Sequence, residues 1–191
     1  NLIIKEKVTF VHFVPSMLSI FLEFVINNED LNSIKNVVCS GEALPDQLRI
    51  RFYKNFKNAV LYNMYGPTEA TVEVTNYTCP KDDIDMKMHI GRTIPNTPLL
   101  IINRDNILLP QGIIGELHIG GPQVSTGYVN QKELTDKTFI DNKYVKGKIY
   151  KTGDLSRLLT DNNIDYLGRI DSQIKVRGMR IEISEIKKNI L

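Results

Sequence analysis

Three short apolar runs, Val8–Val14, Lys35–Ser40 and Ala59–Asn63, alternate with two stretches of helical spacing, Pro15 to about Asn27 and Pro45–Phe56. Apolar runs of this length suit strands covered on both faces, and amphipathic segments between them supply the cover. A proline opens each helical stretch, where the N–H it lacks would have no helical partner. The alternation predicts a parallel sheet with helices packed on it. In such sheets ligands bind beyond the carboxyl ends of the strands. Two turns fall there: Ser40-Gly41-Glu42 and Tyr65-Gly66-Pro67-Thr68-Glu69.

From about Gly91 the texture changes. Short strands are predicted at Leu99–Asn103, Gly115–Ile119, Ile149–Tyr150, Asp154–Leu158 and Ile164–Leu167, separated by Gly, Pro and Asn turns. This reads as a β-rich second layer, of the kind a small barrel makes. Asp161-Asn162-Asn163 suits a hairpin turn between two of these strands. After Gly168-Arg169-Ile170-Asp171 the chain turns basic and glycine-punctuated, then helical from about Glu182.

Bulk properties exclude several classes. At 42% hydrophobic and 24% charged, the 191 residues suit an ordinary globular protein, and a net charge of +2 calls for neither nucleic acid nor an anionic membrane. The apolar segment Val8–Ile26 approaches spanning length, but it contains His12, Ser16, Ser19 and Glu23, and Pro15 would break a single helix. It lacks a signal peptide's basic leader and cleavage site. Cys39 and Cys79 have no paired spacing and read as free thiols in a reducing, cytoplasmic setting. The sequence opens beside a core-like strand and stops inside an apparent helix, which reads as a chain cut at both ends.

Some residues carry chemistry on their own terms. In Tyr65-Gly66-Pro67-Thr68-Glu69, Gly-Pro forces a tight turn, Thr68 offers a hydroxyl, Glu69 a hard oxygen suited to Mg²⁺ and Tyr65 a flat face for a base. A nucleotide-holding loop and an ordinary turn capping a helix both fit these five residues alone. Asp154, after a glycine turn, can accept two hydrogen bonds from ribose hydroxyls, and a solvated turn aspartate fits as well. Arg169, Lys175, Arg177 and Arg180 lie interleaved with apolar residues in Gly168–Glu185. That is the pattern of a β-hairpin with a basic face; without aromatics, and with Asp171, Glu182 and Glu185 nearby, it is a poor nucleic-acid surface. The histidines show no metal-ligand spacing, and Gly120 to Gly127 lacks the Gly-Lys-Ser/Thr ending of a phosphate loop.

Several segments occurring in order resemble the core motifs of adenylate-forming (AMP-binding) enzymes: Asn63–Glu69 (NMYGPTE), Gly115–Tyr128 (GELHIGGPQVSTGY), Tyr150–Leu155 (YKTGDL) and Gly168–Ile186. With Phe13–Leu18 and Ile90–Thr97, the pattern is most similar to the adenylation domains of nonribosomal peptide synthetases. The resemblance implies an α/β fold: the C-terminal part of a large subdomain over residues 1–170, with an α/β sheet layer (1–90) and a distorted β-barrel layer (91–170). Residues 171–191 would be the hinge, at Asp171, and the start of a small mobile α+β subdomain.

The resemblance also implies roles. Tyr65 would stack on adenine, with Asn63 and the Gly41-Glu42 backbone at the base edge. Thr68 would contact the α-phosphate, Glu69 would bind Mg²⁺ and Asp154 the ribose. Tyr166 and Arg169 would flank the nucleotide, and Lys175 and Gly178 belong to the catalytic loop that meets a phosphopantetheine arm on a carrier-protein partner. ATP and Mg²⁺ are the implied cofactors. His12, Val38, Ser40, Met64, Val72 and Glu73 map to the amino-acid side-chain pocket, in a pattern most similar to serine activation. An acyl- or aryl-CoA ligase, a D-alanine carrier ligase and a truncated non-catalytic remnant are the alternatives. The family's phosphate loop would lie before Asn1 and its C-terminal lysine beyond Leu191, which implies no adenylation by these 191 residues alone.

Overall fold

The computed structural model describes residues 2–25, 31–82 and 87–190. After a single helical turn, α1 (Leu2–Lys5), the chain alternates as its apolar runs predict: β1 (Phe10–Phe13), α2 (Pro15–Phe24), β2 (Asn36–Cys39), α3 (Asp46–Asn55) and β3 (Val60–Tyr65). The strands β1, β2 and β3 are parallel neighbours in that order. Two further strands, β4 (Thr75–Thr78) and β5 (Arg92–Thr93), extend the sheet antiparallel. The sequence does not announce them, because β4 (TNYT) carries a single apolar residue and buries the polar Thr75, and β5 is two residues long. Helix α2 ends at Phe24; the expected continuation through Ile26 and Asn27 lies outside the described residues.

The helical spacing does its work on one face of this sheet. Leu18 and Leu22 of α2, one turn apart, and Leu48 and Phe52 of α3, likewise one turn apart, meet Val37 and Cys39 of β2 and Leu61 of β3 in one core. Both cysteines are free and buried there, and burial pushes each thiol up to about 12. Buried Arg49 lies within α3, its Nε 2.8 Å from Asp46 and its Nη1 donating to the Pro80 carbonyl at 2.6 Å.

The second layer is an open antiparallel sheet, a half-barrel, ordered β10 (Ile164–Arg169), β9 (Ile149–Leu158), β7 (Gly115–Ile119) and β6 (Leu99–Ile102). A short strand, β8 (Phe139–Ile140), pairs with β9 and follows helix α4 (Lys132–Thr138). The two runs expected as separate strands, Ile149–Tyr150 and Asp154–Leu158, form one ten-residue strand interrupted by a bulge. At the bulge Gly153 adopts φ +72, which glycine accepts without strain, and the Thr152 hydroxyl donates to the Leu117 carbonyl at 2.7 Å. The expected hairpin turn joins β9 to β10: Asn162 is left-handed at φ +65, and the Asp161 carboxylate accepts from the Asn163 N–H at 3.0 Å.

The layers join where Ile164 exchanges backbone hydrogen bonds with Ile90 and Gly91, over a shared cluster of Ile90, Ile101, Leu117 and Ile164. The basic stretch forms a hairpin, β11 (Gln173–Val176) and β12 (Met179–Glu182), followed by α5 (Ile183–Ile190). Among the described residues no helix is long and apolar enough to cross a membrane.

Leu61 is fully buried where β3 meets both helices. Leu61→Ala is expected to lower unfolding free energy by about 2–5 kcal/mol, through lost apolar transfer and a cavity. Urea denaturation with an unchanged m-value checks this.

Candidate active site

The parallel strands β2 and β3 end at the same edge, and their following turns face the bulge of β9. The Tyr65 ring ends β3, half-buried, 6.3 Å from the Tyr166 ring. Its hydroxyl donates to Oδ2 of Asp154, while Oδ1 accepts from Arg169 Nη1 at 2.9 Å. Arg169 also reaches Asp171 with two donors, each at 2.7 Å. A single guanidinium thus bridges two carboxylates, the planar fork suiting both. Burial pushes the Asp154 carboxyl above its ordinary range, against the pull of Tyr65 and Arg169. Burial and the neighbouring Asp154 charge push the Tyr65 phenol well up. Each Asp154 oxygen carries one hydrogen bond and retains a second lone-pair direction for a ligand hydroxyl.

These groups line a cleft of about 840 Å³. It gathers residues far apart in sequence: Ser40, Gly41 and Glu42 after β2; Asn63, Met64, Tyr65 and Thr68 around the end of β3; and Val72 beyond. From the second layer and the hairpin it adds Asp154, Tyr166, Arg169, Asp171, Lys175 and Gly178. Four expected site residues do not line it. Val38 is buried, His12 is exposed with its Nε2 2.8 Å from the Ser40 hydroxyl, Glu73 lies beside Val72, and Glu69 is buried within the turn itself. Both carboxylate oxygens of Glu73 are buried, and burial raises its carboxyl above the ordinary range against the pull of the Ser40 hydroxyl. The Asn63 amide donates to the His89 carbonyl at 2.8 Å.

The turn between Gly66 and Glu73 is tightly folded. Thr68–Ala70 makes one turn of 3-10 helix, and Val74 N–H returns to the Tyr65 carbonyl at 2.7 Å. Thr71 and Val72 both lie in the left-handed region, at φ +57 and +72, which is costly for β-branched residues and is sustained only by surrounding contacts. One such contact is the Thr71 hydroxyl donating to the Gln123 carbonyl at 2.8 Å. Gly66 is required by close approach: a Cβ there would stand 2.3 Å from the Val72 carbonyl oxygen.

Several residues at the site escape a reading of the sequence. The Glu42 side chain, expected only to lend its backbone, accepts from Ser16 N–H at the start of α2 (3.0 Å) and from Gly178 N–H of the hairpin turn (2.6 Å). Burial opposes its ionisation, but those two donors hold the carboxyl below its ordinary range. Glu116 accepts from Gly153 N–H at 3.0 Å and lies 3.3 Å from buried His118, propping the bulge that presents Asp154. Tyr128 and Arg180 both contact Glu69. The sequence offers Arg180 only as one of four interleaved cations, and Tyr128 only as the end of a glycine-rich stretch. Among the described residues no group of three or more His, Cys, Asp or Glu could by itself hold a metal.

Residues 1–129 match the family described as AMP-binding enzyme. The zwittermicin A synthase ZmaJ of Bacillus cereus is 46% identical over 194 aligned positions, covering 98% of this chain and 37% of that protein. Tyrocidine synthase 3 of Brevibacillus parabrevis is 42% identical over 192, covering 100% of this chain and 3% of the relative. Gramicidin S synthase 2 of Aneurinibacillus migulanus is 40% identical over 193, covering 100% and 4%. The chain thus spans a minor part of the curated relatives it matches. Among solved structures, holo-PA1221, an NRPS protein containing adenylation and PCP domains bound to a vinylsulfonamide inhibitor, superposes with TM-score 0.90 at 23% identity, over 99% of this chain and 33% of that one, and shares the fold. The nonribosomal peptide synthetase FmoA3 in an alpha-methyl-L-serine-AMP bound form superposes with TM-score 0.82 at 28% identity, over 90% of this chain and 20% of that one.

Gly66→Ala places a Cβ against backbone that cannot retreat. The variant is expected to lose about 1–3 kcal/mol of stability, the usual cost of forced overpacking. Thermal unfolding checks this, and an unchanged midpoint would mean the turn is looser than its contacts imply.

Proposed function

The chain belongs to the AMP-binding enzyme family, and from that premise we propose that it is part of an ATP-dependent adenylation domain that activates an amino acid as its aminoacyl-adenylate for nonribosomal peptide synthesis. The observation that carries this reading is the convergence of Tyr65, Thr68, Asp154, Tyr166 and Arg169 on one cleft. That set offers a flat ring, a hydroxyl, a carboxylate with free lone pairs and a fixed cation, which together are parts for a base, a phosphate and a ribose.

In this reading adenine packs on Tyr65, with Asn63 and the Gly41-Glu42 backbone at its edge. The ribose hydroxyls donate to Asp154, Thr68 meets the α-phosphate, and Arg169 and Tyr166 flank the nucleotide. Glu69 does not line the cleft but suits Mg²⁺ beside it: its Oε2 is buried with no hydrogen-bond partner, and Mg²⁺ takes one or two carboxylates and fills its shell with water and phosphate oxygens. When bound, the metal would neutralise charge on the phosphates. An oxygen of the substrate carboxylate attacks the α-phosphorus, the bond to the β-phosphate bridging oxygen breaks, and pyrophosphate leaves. The protein's part is alignment and charge compensation.

The second half-reaction passes the acyl group to the thiol of a phosphopantetheine carrier, releasing AMP. Lys175 and Gly178, on the hairpin, line the same cleft and suit the loop that meets that arm. Residues 171–191 would then be the start of a mobile subdomain hinged at Asp171, with the cytoplasm as the ATP-supplying setting. The relatives include synthases many times longer than this chain, and a structural relative pairs adenylation with PCP domains, which supports a carrier in the same polypeptide.

Serine is the proposed substrate. The buried Glu73 carboxyl beside the Ser40 hydroxyl, with His12 Nε2 also on Ser40, favours a short side chain that can both donate and accept a hydrogen bond. Met64 and Val72 would close the apolar part of the pocket beside Val38.

The test is amino-acid-dependent ATP–pyrophosphate exchange by the adenylation domain that contains this chain, against serine, threonine, other amino acids, and fatty and aryl acids. Serine-dependent exchange is expected. Exchange with another amino acid alone would keep the reaction and overturn the substrate, whereas exchange with only fatty or aryl acids would overturn the amino-acid reading.

A further inference from the structure

The two oxygens of the Glu69 carboxylate are not equivalent. Oε1 accepts from the Tyr128 hydroxyl at 2.7 Å and from Arg180 Nη1 at 2.6 Å, while Oε2 is buried with no hydrogen-bond partner. We propose that Tyr128 is a positioning residue that turns Glu69 Oε2 toward the divalent cation, and that Arg180 is an internal cation competing with the metal for the same carboxylate. The inference rests on the reading of Glu69 as the metal-facing residue.

A carboxylate on a rotatable side chain presents either oxygen unless something loads one of them. Tyr128 does so from a rigid support. Its ring stands edge-on to Phe139, with centroids 5.4 Å apart, and its N–H donates to the Thr135 hydroxyl at 2.9 Å. The same segment also grips Glu69 by its backbone, Ser125 N–H donating to the Glu69 carbonyl at 2.8 Å. Main chain and side chain of Glu69 are therefore both held by residues 125–128, and the free oxygen is the one left over.

Arg180 differs in kind. It comes from the exposed hairpin strand β12, its side chain is 38% exposed against 8% for Glu69, and it carries a full positive charge. A divalent cation at Oε2 would stand within a few ångströms of that guanidinium and be repelled by it. Tyr128 therefore aids metal binding and Arg180 opposes it, so their removal has opposite signs.

The experiment is calorimetric ATP binding to the adenylation domain containing this chain, across a range of free Mg²⁺, reading the Mg²⁺ concentration that gives half of the full gain in ATP affinity. No turnover is needed. Tyr128→Phe, which removes only the hydroxyl, is expected to raise that concentration about three- to tenfold, the size of one net hydrogen bond. Arg180→Gln is expected to lower it by a similar factor. ATP affinity without Mg²⁺ should stay unchanged in Tyr128→Phe, which a merely structural hydroxyl would not guarantee. Shifts in the same direction, or none, overturn the proposal. If Tyr128→Phe fails to fold, an unshifted Mg²⁺ requirement in Arg180→Gln overturns it alone. Glu69→Gln separates the two levels of failure. If it leaves the requirement unmoved, the metal reading of Glu69 falls and takes the proposal with it. If it shifts the requirement while the other variants do not, only the proposal falls.

Discussion

The buried carboxylate of Asp154 is the point on which the two layers of this molecule depend. A carboxylate away from water is costly unless it is hydrogen-bonded and faces a cation. Here Tyr65, from the end of the parallel strands, supplies the hydrogen bond, and Arg169, from the antiparallel layer, supplies the charge. Satisfying one acid therefore requires the layers to meet at a defined spacing. It also explains the bulge: without the extra residues around Gly153, Asp154 would follow the regular alternation of β9, and Glu116 holds that departure from regularity in place.

The cleft is consequently built from turns whose shape is set elsewhere. Gly66 lets the turn after β3 close on itself, the left-handed Thr71 is held by its contact with Gln123, and Val72 N–H returns to the Pro67 carbonyl. Glu42 connects the start of α2 to the hairpin turn at Gly178, so the hairpin rests on the parallel layer through a charged acceptor. Polar contacts of this kind are directional and reversible, unlike the apolar core beneath them.

What was legible in the sequence follows from range. The parallel strands and their helices were readable because local periodicity controls them: Leu18 with Leu22, and Leu48 with Phe52, mark faces within single segments. The Asp161–Asn163 turn was readable for the same reason. The strands β4 and β5 were not, because β4 carries one apolar residue, Tyr77, in four and β5 is only two residues long. The expected break in β9 came from Thr152-Gly153, a sound turn signal that long-range pairing with β7 overrides. At the site, Tyr65, Asp154 and Arg169 stood out through ordered motifs, whereas the side-chain bridge of Glu42 and the Tyr128 contact to Glu69 join residues dozens of positions apart, which spacing alone cannot register.

The proposed function stands or falls on whether this cleft holds the adenylate. Its most direct test is a structure of the adenylation domain containing this chain with a non-hydrolysable seryl-adenylate analogue. Adenine is expected against the Tyr65 ring, both ribose hydroxyls on Asp154, and the seryl side chain toward Ser40 and Glu73. An analogue bound elsewhere, with the Tyr65, Asp154 and Arg169 contacts untouched and the cleft empty, would contradict it.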